Sequence, residues 1–139
     1  MQIKIHAVPL QSEDGHKFIR VMSPVDIINP IAPDNIQIRR VMALWDTGAT
    51  NTSIPMETAT ALGLRLGDEC GIRTAAANKS ARWCKFFLGF PDGTVVGIAE
   101  GTAMAGMTTQ LIIGMDVMSK GVTTIEPDGS GGVNFTFTL

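Results

Sequence analysis

The chain has 139 residues and a formal net charge of −2, with 45% hydrophobic and 17% charged side chains. That length supports one domain around one core, and the absence of a basic cluster excludes phosphate-led nucleic-acid binding. No tyrosine is present and aromatic residues make up only 6%, which excludes a base-stacking platform for single strands.

Residues 2–10 and 17–28 are runs rich in Ile, Val and Phe, separated by the turn signal Gln11-Ser12-Glu13-Asp14-Gly15, and predict a hairpin. Pro30 and Pro33 predict a loop over 27–35. Ile36 to Trp45 begins with strict alternation and ends fully apolar, as a strand does when it passes from a half-exposed surface into a core. Ile54-Pro55 opens a helix, with Glu57 at its positive end and Gly63 as its cap. Residues 69–77 and 82–90 read as strands with a polar tip at Asn78-Lys79-Ser80. Pro91-Asp92-Gly93-Thr94 is a turn, and Val95–Ala99 and Thr109–Ile113 are further strands. Gly114 to Gly121 predicts a short helix, and Val122–Ile125 pairs with Val133–Leu139 across the glycine-rich turn at 128–132. Many short strands and two short helices imply a mostly-β barrel or folded sheet in a single domain spanning 1–139.

No apolar run is long enough to span a membrane as a helix, so no membrane partner is expected. The first residues, Met1-Gln2-Ile3-Lys4-Ile5-His6, lack the basic-then-apolar order of a signal peptide, and a cytoplasmic location is expected. Two cysteines, Cys70 and Cys84, are too few for a disulfide framework. They lie equally far on either side of Ala77, so a hairpin centred there would set them face to face. His6 and His16 both lie near the N-terminus, and nothing places a nucleophile beside either.

The most informative stretch is Ala43-Leu44-Trp45-Asp46-Thr47-Gly48-Ala49-Thr50-Asn51-Thr52-Ser53-Ile54-Pro55. A carboxylate at the end of a buried strand is costly unless something pairs with it or uses it, and Gly48 allows a sharp turn and a close approach. Asp-Thr-Gly alone is usually a turn, with the acid bonding its own backbone. Downstream, Leu111-Ile112-Ile113-Gly114-Met115-Asp116 runs from strand into helix, with the Ala76-Ala77-Asn78-Lys79 hairpin between the two elements.

Taken together these elements resemble the retroviral-type, or retropepsin-like, aspartic proteases over roughly residues 40 to 120, in particular the bacterial and retroelement members. The resemblance implies a single-domain folded β-barrel with one or two short helices, acting as a homodimer on a peptide or protein substrate, with no metal or other cofactor. The motif occurs once, so each chain would supply one Asp46. The two carboxylates would share a proton and titrate as a pair. Thr47 would hydrogen-bond across the dimer, and Gly48 would lie beside the pair. Ala49, Ala76, Ala77, Asn78 and Ile113 would contact substrate, the hairpin acting as a flap. Ala75-Ala76-Ala77 lacks the glycines that make such a flap supple, so the tip is either stiffer or an ordinary surface hairpin. Asp116 reads as a helix N-terminal or interface acid. About 40 residues precede the active-site strand, more than in a minimal viral subunit, and the excess, including the loop at 27–35, would extend the substrate cleft, cover the dimer edge or hold a propeptide-like segment. Two other readings stand beside this one: a catalytically inactive dimer of the same fold that binds or scaffolds peptides, and an unrelated small ligand-binding barrel with Asp46 in a turn.

Overall fold

The computed structural model describes residues 1–30, 36–73 and 78–139. Its strands are β1 (Gln2–Ala7), β2 (Leu10–Gln11), β3 (Lys17–Phe18), β4 (Met22–Pro30), β5 (Ile36–Trp45), β6 (Ser53–Pro55), β7 (Leu66–Arg73), β8 (Asn78–Gly89), β9 (Val95–Met104), β10 (Leu111–Ile113), β11 (Val122–Pro127) and β12 (Val133–Thr138). Two short helices, α1 (Met56–Ala61) and α2 (Met115–Met118), follow β6 and β10.

Seven strands form one sheet in the order β4-β5-β10-β6-β9-β8-β7. A further pairing of β4 with β8, Asp26 to Gly89 through Ile28 to Phe87, folds that sheet back on itself. The result is a closed barrel, and β7 is left outside the closure, paired only with β8. Within the barrel β10 runs parallel to β5 and β6 runs parallel to β9. A separate three-stranded sheet, β1-β12-β11, joins the two ends of the chain, with Gln2 opposite Thr138.

The core lies inside the barrel and extends under the terminal sheet. Val41, Ala43 and Trp45 alternate inward along β5, as the sequence pattern requires. Trp45 is the junction: its ring lies 5.3 Å from that of Phe135, 5.2 Å from Phe137 and 6.2 Å from Phe90. Its indole N–H donates to Ser23 Oγ at 2.9 Å, so this buried polar group is satisfied. Leu62 caps α1, and Gly63 follows with φ +66°, the left-handed conformation that ends a helix and favours glycine.

The mostly-β architecture, β5, both helices and the β11–β12 hairpin agree with expectation. Four details differ. The predicted hairpin of 2–10 with 17–28 is reduced to two residue pairs, Leu10 with Phe18 and Gln11 with Lys17. β1 pairs instead with β12, because Ile3 and Ile5 then share a face with Phe137 and Phe135 over the core. Of the loop predicted at 27–35, residues 27–30 instead continue β4 to Pro30, and residues 31–35 fall outside the described residues; proline is tolerated at a strand end, where its missing N–H breaks no ladder. Asn78-Lys79-Ser80 is not a tip but the start of β8, where Ser80 pairs with Gly71 and Asn78 with Arg73.

That last shift also corrects the cysteine expectation. The register pairs Arg73 with Asn78, so Cys70 faces Ala81 and Cys84 faces Leu66. Both thiols are free. Cys84 is buried among apolar side chains, and that burial pushes its pKa up to about 11. Register here is set by the buried face: Cys84, Phe86 and Leu88 alternate inward along β8, whatever the polarity of the residues near the tip.

Candidate active site

β5 delivers Asp46 to the barrel's rim. Trp45 is the last buried residue of the strand, Asp46 is half-buried, and Thr47 and Gly48 are exposed. The backbone N–H of Asp46 donates to the carbonyl of Ile113 at 2.9 Å, tying the turn to β10. The Gly48 N–H donates to Asp46 Oδ1 at 2.8 Å, and the Ala49 N–H closes the turn onto the Asp46 carbonyl at 3.2 Å. Among the described residues no cation pairs with this carboxylate. The group is thus oriented by the backbone and faces no counter-charge among the described residues.

The loop is clamped from behind. Thr52 is fully buried; its N–H and hydroxyl donate to the two oxygens of Asp116 at 2.9 and 2.7 Å. The same hydroxyl accepts the Gly114 N–H at 3.2 Å. Met115 and Asp116 N–H groups at the start of α2 donate to the carbonyls of Ala49 and Thr50 at 2.8 and 3.1 Å. Gly114 makes this approach possible: a Cβ there would lie 2.8 Å from the Ala49 carbonyl oxygen and 2.9 Å from the Asn51 backbone. On the other flank Ser53 and Thr102 share a buried hydroxyl–hydroxyl bond of 2.7 Å, and Thr102 N–H donates to the Thr52 carbonyl at 3.0 Å. Asn51 Nδ2 donates to the Glu100 carbonyl at 3.0 Å, so among the described residues every residue from Asp46 to Ser53 except Thr47 is held by a hydrogen bond to a neighbouring element or within the turn.

Of the expected site residues, Asp46, Thr47, Gly48 and Ala49 come together in this turn. Ile113 lies beside them, but its side chain is fully buried in the core. Its carbonyl accepts the Asp46 N–H and so anchors the turn. Ala76 and Ala77 fall outside the described residues, and Asn78 opens β8 opposite Arg73. The reading of Asp116 as a helix N-terminal acid holds, with the addition that it grips the loop through Thr52. Thr52, Ser53 and Thr102 were missed from the sequence, where a buried hydroxyl looks like any other strand Thr or Ser. The only available signal was the acid placed two residues after Gly114. Among the described residues no cluster of acids, histidines and cysteines is arranged to hold a metal.

An acid–Thr–Gly turn at a strand end, backed by a second strand and a short helix in a small folded barrel, is the arrangement of an aspartic-protease half-site. The chain belongs to the family described as "gag-polyprotein putative aspartyl protease", which it matches over residues 34–120. Its fold is retropepsin-like. It is similar to the crystal structure of a retropepsin-like aspartic protease from Rickettsia conorii, with 16% identity and a TM-score of 0.55, covering 99% of this chain and 91% of that one. It is also similar to the EIAV protease complexed with the inhibitor HBY-793, with 17% identity and a TM-score of 0.51, covering 73% of this chain and 86% of that one. At these identities the likeness is one of fold. No curated protein sequence matches the chain.

Proposed function

We propose that residues 1–139 form one catalytic domain of a homodimeric aspartic endopeptidase, in which two Asp46 carboxylates, one per chain, activate a water to cleave a peptide bond. The observation that carries this reading is the Asp46 turn: a half-buried carboxylate fixed by the Gly48 N–H at 2.8 Å, with no neutralising partner within the described part of its own chain. Two such groups brought together share one proton, because like charges at short range cannot both persist. The ionised member takes a proton from the bound water as it attacks the carbonyl carbon. The protonated member donates to the carbonyl oxygen as charge develops on it. Collapse of the tetrahedral intermediate returns a proton to the leaving amine. Acid–base help of this kind contributes roughly 10²–10⁴-fold in rate. In this reading Thr47, exposed at the turn, bonds across the dimer, and Gly48 and Ala49 line the approach. The β7–β8 hairpin acts as the flap.

Asp46→Asn tests the assignment. The change is nearly isosteric and removes both the base and the shareable proton. Peptide cleavage by the wild-type dimer, inhibited by a statine-type transition-state mimic and lost in Asp46→Asn with the fold unchanged, is the expected result. A wild-type protein that binds the mimic and cleaves no peptide across an acid-to-neutral pH series would instead make it an inactive peptide-binding dimer.

A further inference from the structure

A second concave site lies away from the Asp46 turn. Its volume is about 430 Å³, and no lining residue comes from loop 46–52, β10 or α2. Leu64, Leu66, Trp83 and Ala99 supply apolar wall, and Arg65 and Lys85 supply charge. A volume in the range of roughly 300–1,000 Å³ is that of ordinary small-ligand pockets.

The cavity has a cause in the backbone. In β7, Gly67 and Asp68 together stand opposite Trp83, since Leu66 pairs with Cys84 and Glu69 with Arg82. In β9, Ala99 and Glu100 together stand opposite Lys85, since Cys84 pairs with Gly101 and Phe86 with Ile98. β8 is therefore flanked by a bulge on each side of Cys84. Bulges bend the strand, disrupt the ladder and re-aim side chains, and they recur beside functional sites. Here they open the sheet at the root of the β7–β8 hairpin and leave Trp83 41% exposed, a large apolar surface without cover.

The charge is one-sided. Among the described residues neither Arg65 nor Lys85 makes an ion pair, and the lining contains no carboxylate. Asp68, Glu69 and Glu100 adjoin the lining in sequence and are not part of it. An apolar wall with two unpaired cations and no anion is complementary to a compact apolar molecule bearing one carboxylate.

We propose that this cavity binds an amphipathic monocarboxylate, the carboxylate held by Arg65 and Lys85 and the apolar body resting on Leu64, Leu66 and Trp83. Such a ligand bridges the segment leaving α1 to β8 and so stiffens the hairpin at its root. The effect on cleavage rests on the protease reading; the binding does not.

The test titrates octanoate, which has about ten heavy atoms and suits a pocket of this class, into the full-length protein while backbone amide shifts are followed. Shifts confined to residues 64–67, 83–85 and 99 are expected. The double variant Arg65→Gln/Lys85→Gln, changed at two exposed positions, should lose about tenfold in octanoate affinity at low salt. It should bind neutral 1-octanol as the wild type does. No shifts at about 2 mM octanoate, shifts centred elsewhere, or equal octanoate affinity in the double variant would overturn the proposal. A protein that binds octanoate at this site yet cleaves nothing sinks the protease reading and leaves the cavity site standing; an active protease without these shifts does the reverse.

Discussion

At the scale of single residues, Asp46 supplies the chemistry in the proposed enzyme, and Thr52 holds it in place. Thr52 ties its own loop to the 114–116 segment through one hydroxyl and one N–H, with its side chain fully buried. Thr52→Ala leaves Asp116 short of a donor and Gly114 short of an acceptor. A buried group left unpaired costs about 1–3 kcal/mol, and the loop bearing Asp46 is the part released. We expect a lower urea midpoint and a fall in kcat larger than any change in KM, with the D46N-sensitive activity otherwise retained. A variant with wild-type kcat and midpoint would show that the clamp is not needed. Cys84 makes a separate prediction. Its folded pKa, about 11, lies above the ordinary value of 9.0, so the folded state holds the thiol proton longer than the unfolded chain does. Stability from this group is present below pH 9.0 and is lost as pH rises toward 11. Thiol labelling at pH 8 should modify Cys70 first and Cys84 only on unfolding. Equal labelling rates in the native protein would contradict the burial.

At the scale of elements, the glycine-rich turn between β11 and β12 is organised by one acid. Asp128 accepts from His6 on β1 at 2.7 Å, from Ser130 N–H at 2.7 Å and from Gly132 N–H at 2.9 Å. The His6 bond first, then the Ser130 N–H, hold its carboxyl below the ordinary value of 3.8 against an opposing effect of burial. A depressed carboxyl stabilises the fold above its unfolded pKa, and that stability is lost as pH falls through the lower, folded value. The wild-type urea midpoint should therefore drop as pH falls below 3.8, and part of that drop should be missing in Asp128→Asn. Identical acid profiles for the two proteins would remove Asp128 from the account. β7 shows the opposite organisation: it pairs only with β8, outside the barrel closure, so its position depends on one neighbour.

At the scale of the molecule, the terminal sheet decides how a dimer can be probed. The alternation in residues 133–139 implies a strand with one buried face. The structure places that strand, β12, at the centre of its own chain's sheet, with Phe135 and Phe137 packed on Trp45. Deleting it would remove core and so report on folding rather than on association. Phe137→Ala alone should cost about 3–5 kcal/mol of stability, measurable by urea unfolding. The dimer is better tested by dilution. If each chain supplies one Asp46, specific activity should fall as the concentration passes below the dissociation constant seen by sedimentation. A monomer that cleaves peptide at that concentration would sink the shared-site mechanism.

The sequence by itself determined the strand running into Asp46-Thr47-Gly48, the two short helices with their Pro55 and Gly63 boundaries, and the mostly-β class. All of these are local: alternation, turn chemistry and capping act within a few residues. It also determined the family resemblance, since the Asp46 loop and the Ile-Ile-Gly element are short motifs of fixed composition. Only the tertiary structure decided what depends on partners distant in the chain. β1 chose β12 over the nearer β4 because shared core aromatics outweigh a short connection. The hairpin register moved the expected tip and separated Cys70 from Cys84, because the buried face of β8 sets that register and two bulges interrupt its neighbours. The role of Ile113 as an anchor has the same kind of reason: its sequence marks it as apolar, and only packing shows that its side chain is enclosed while its carbonyl meets Asp46.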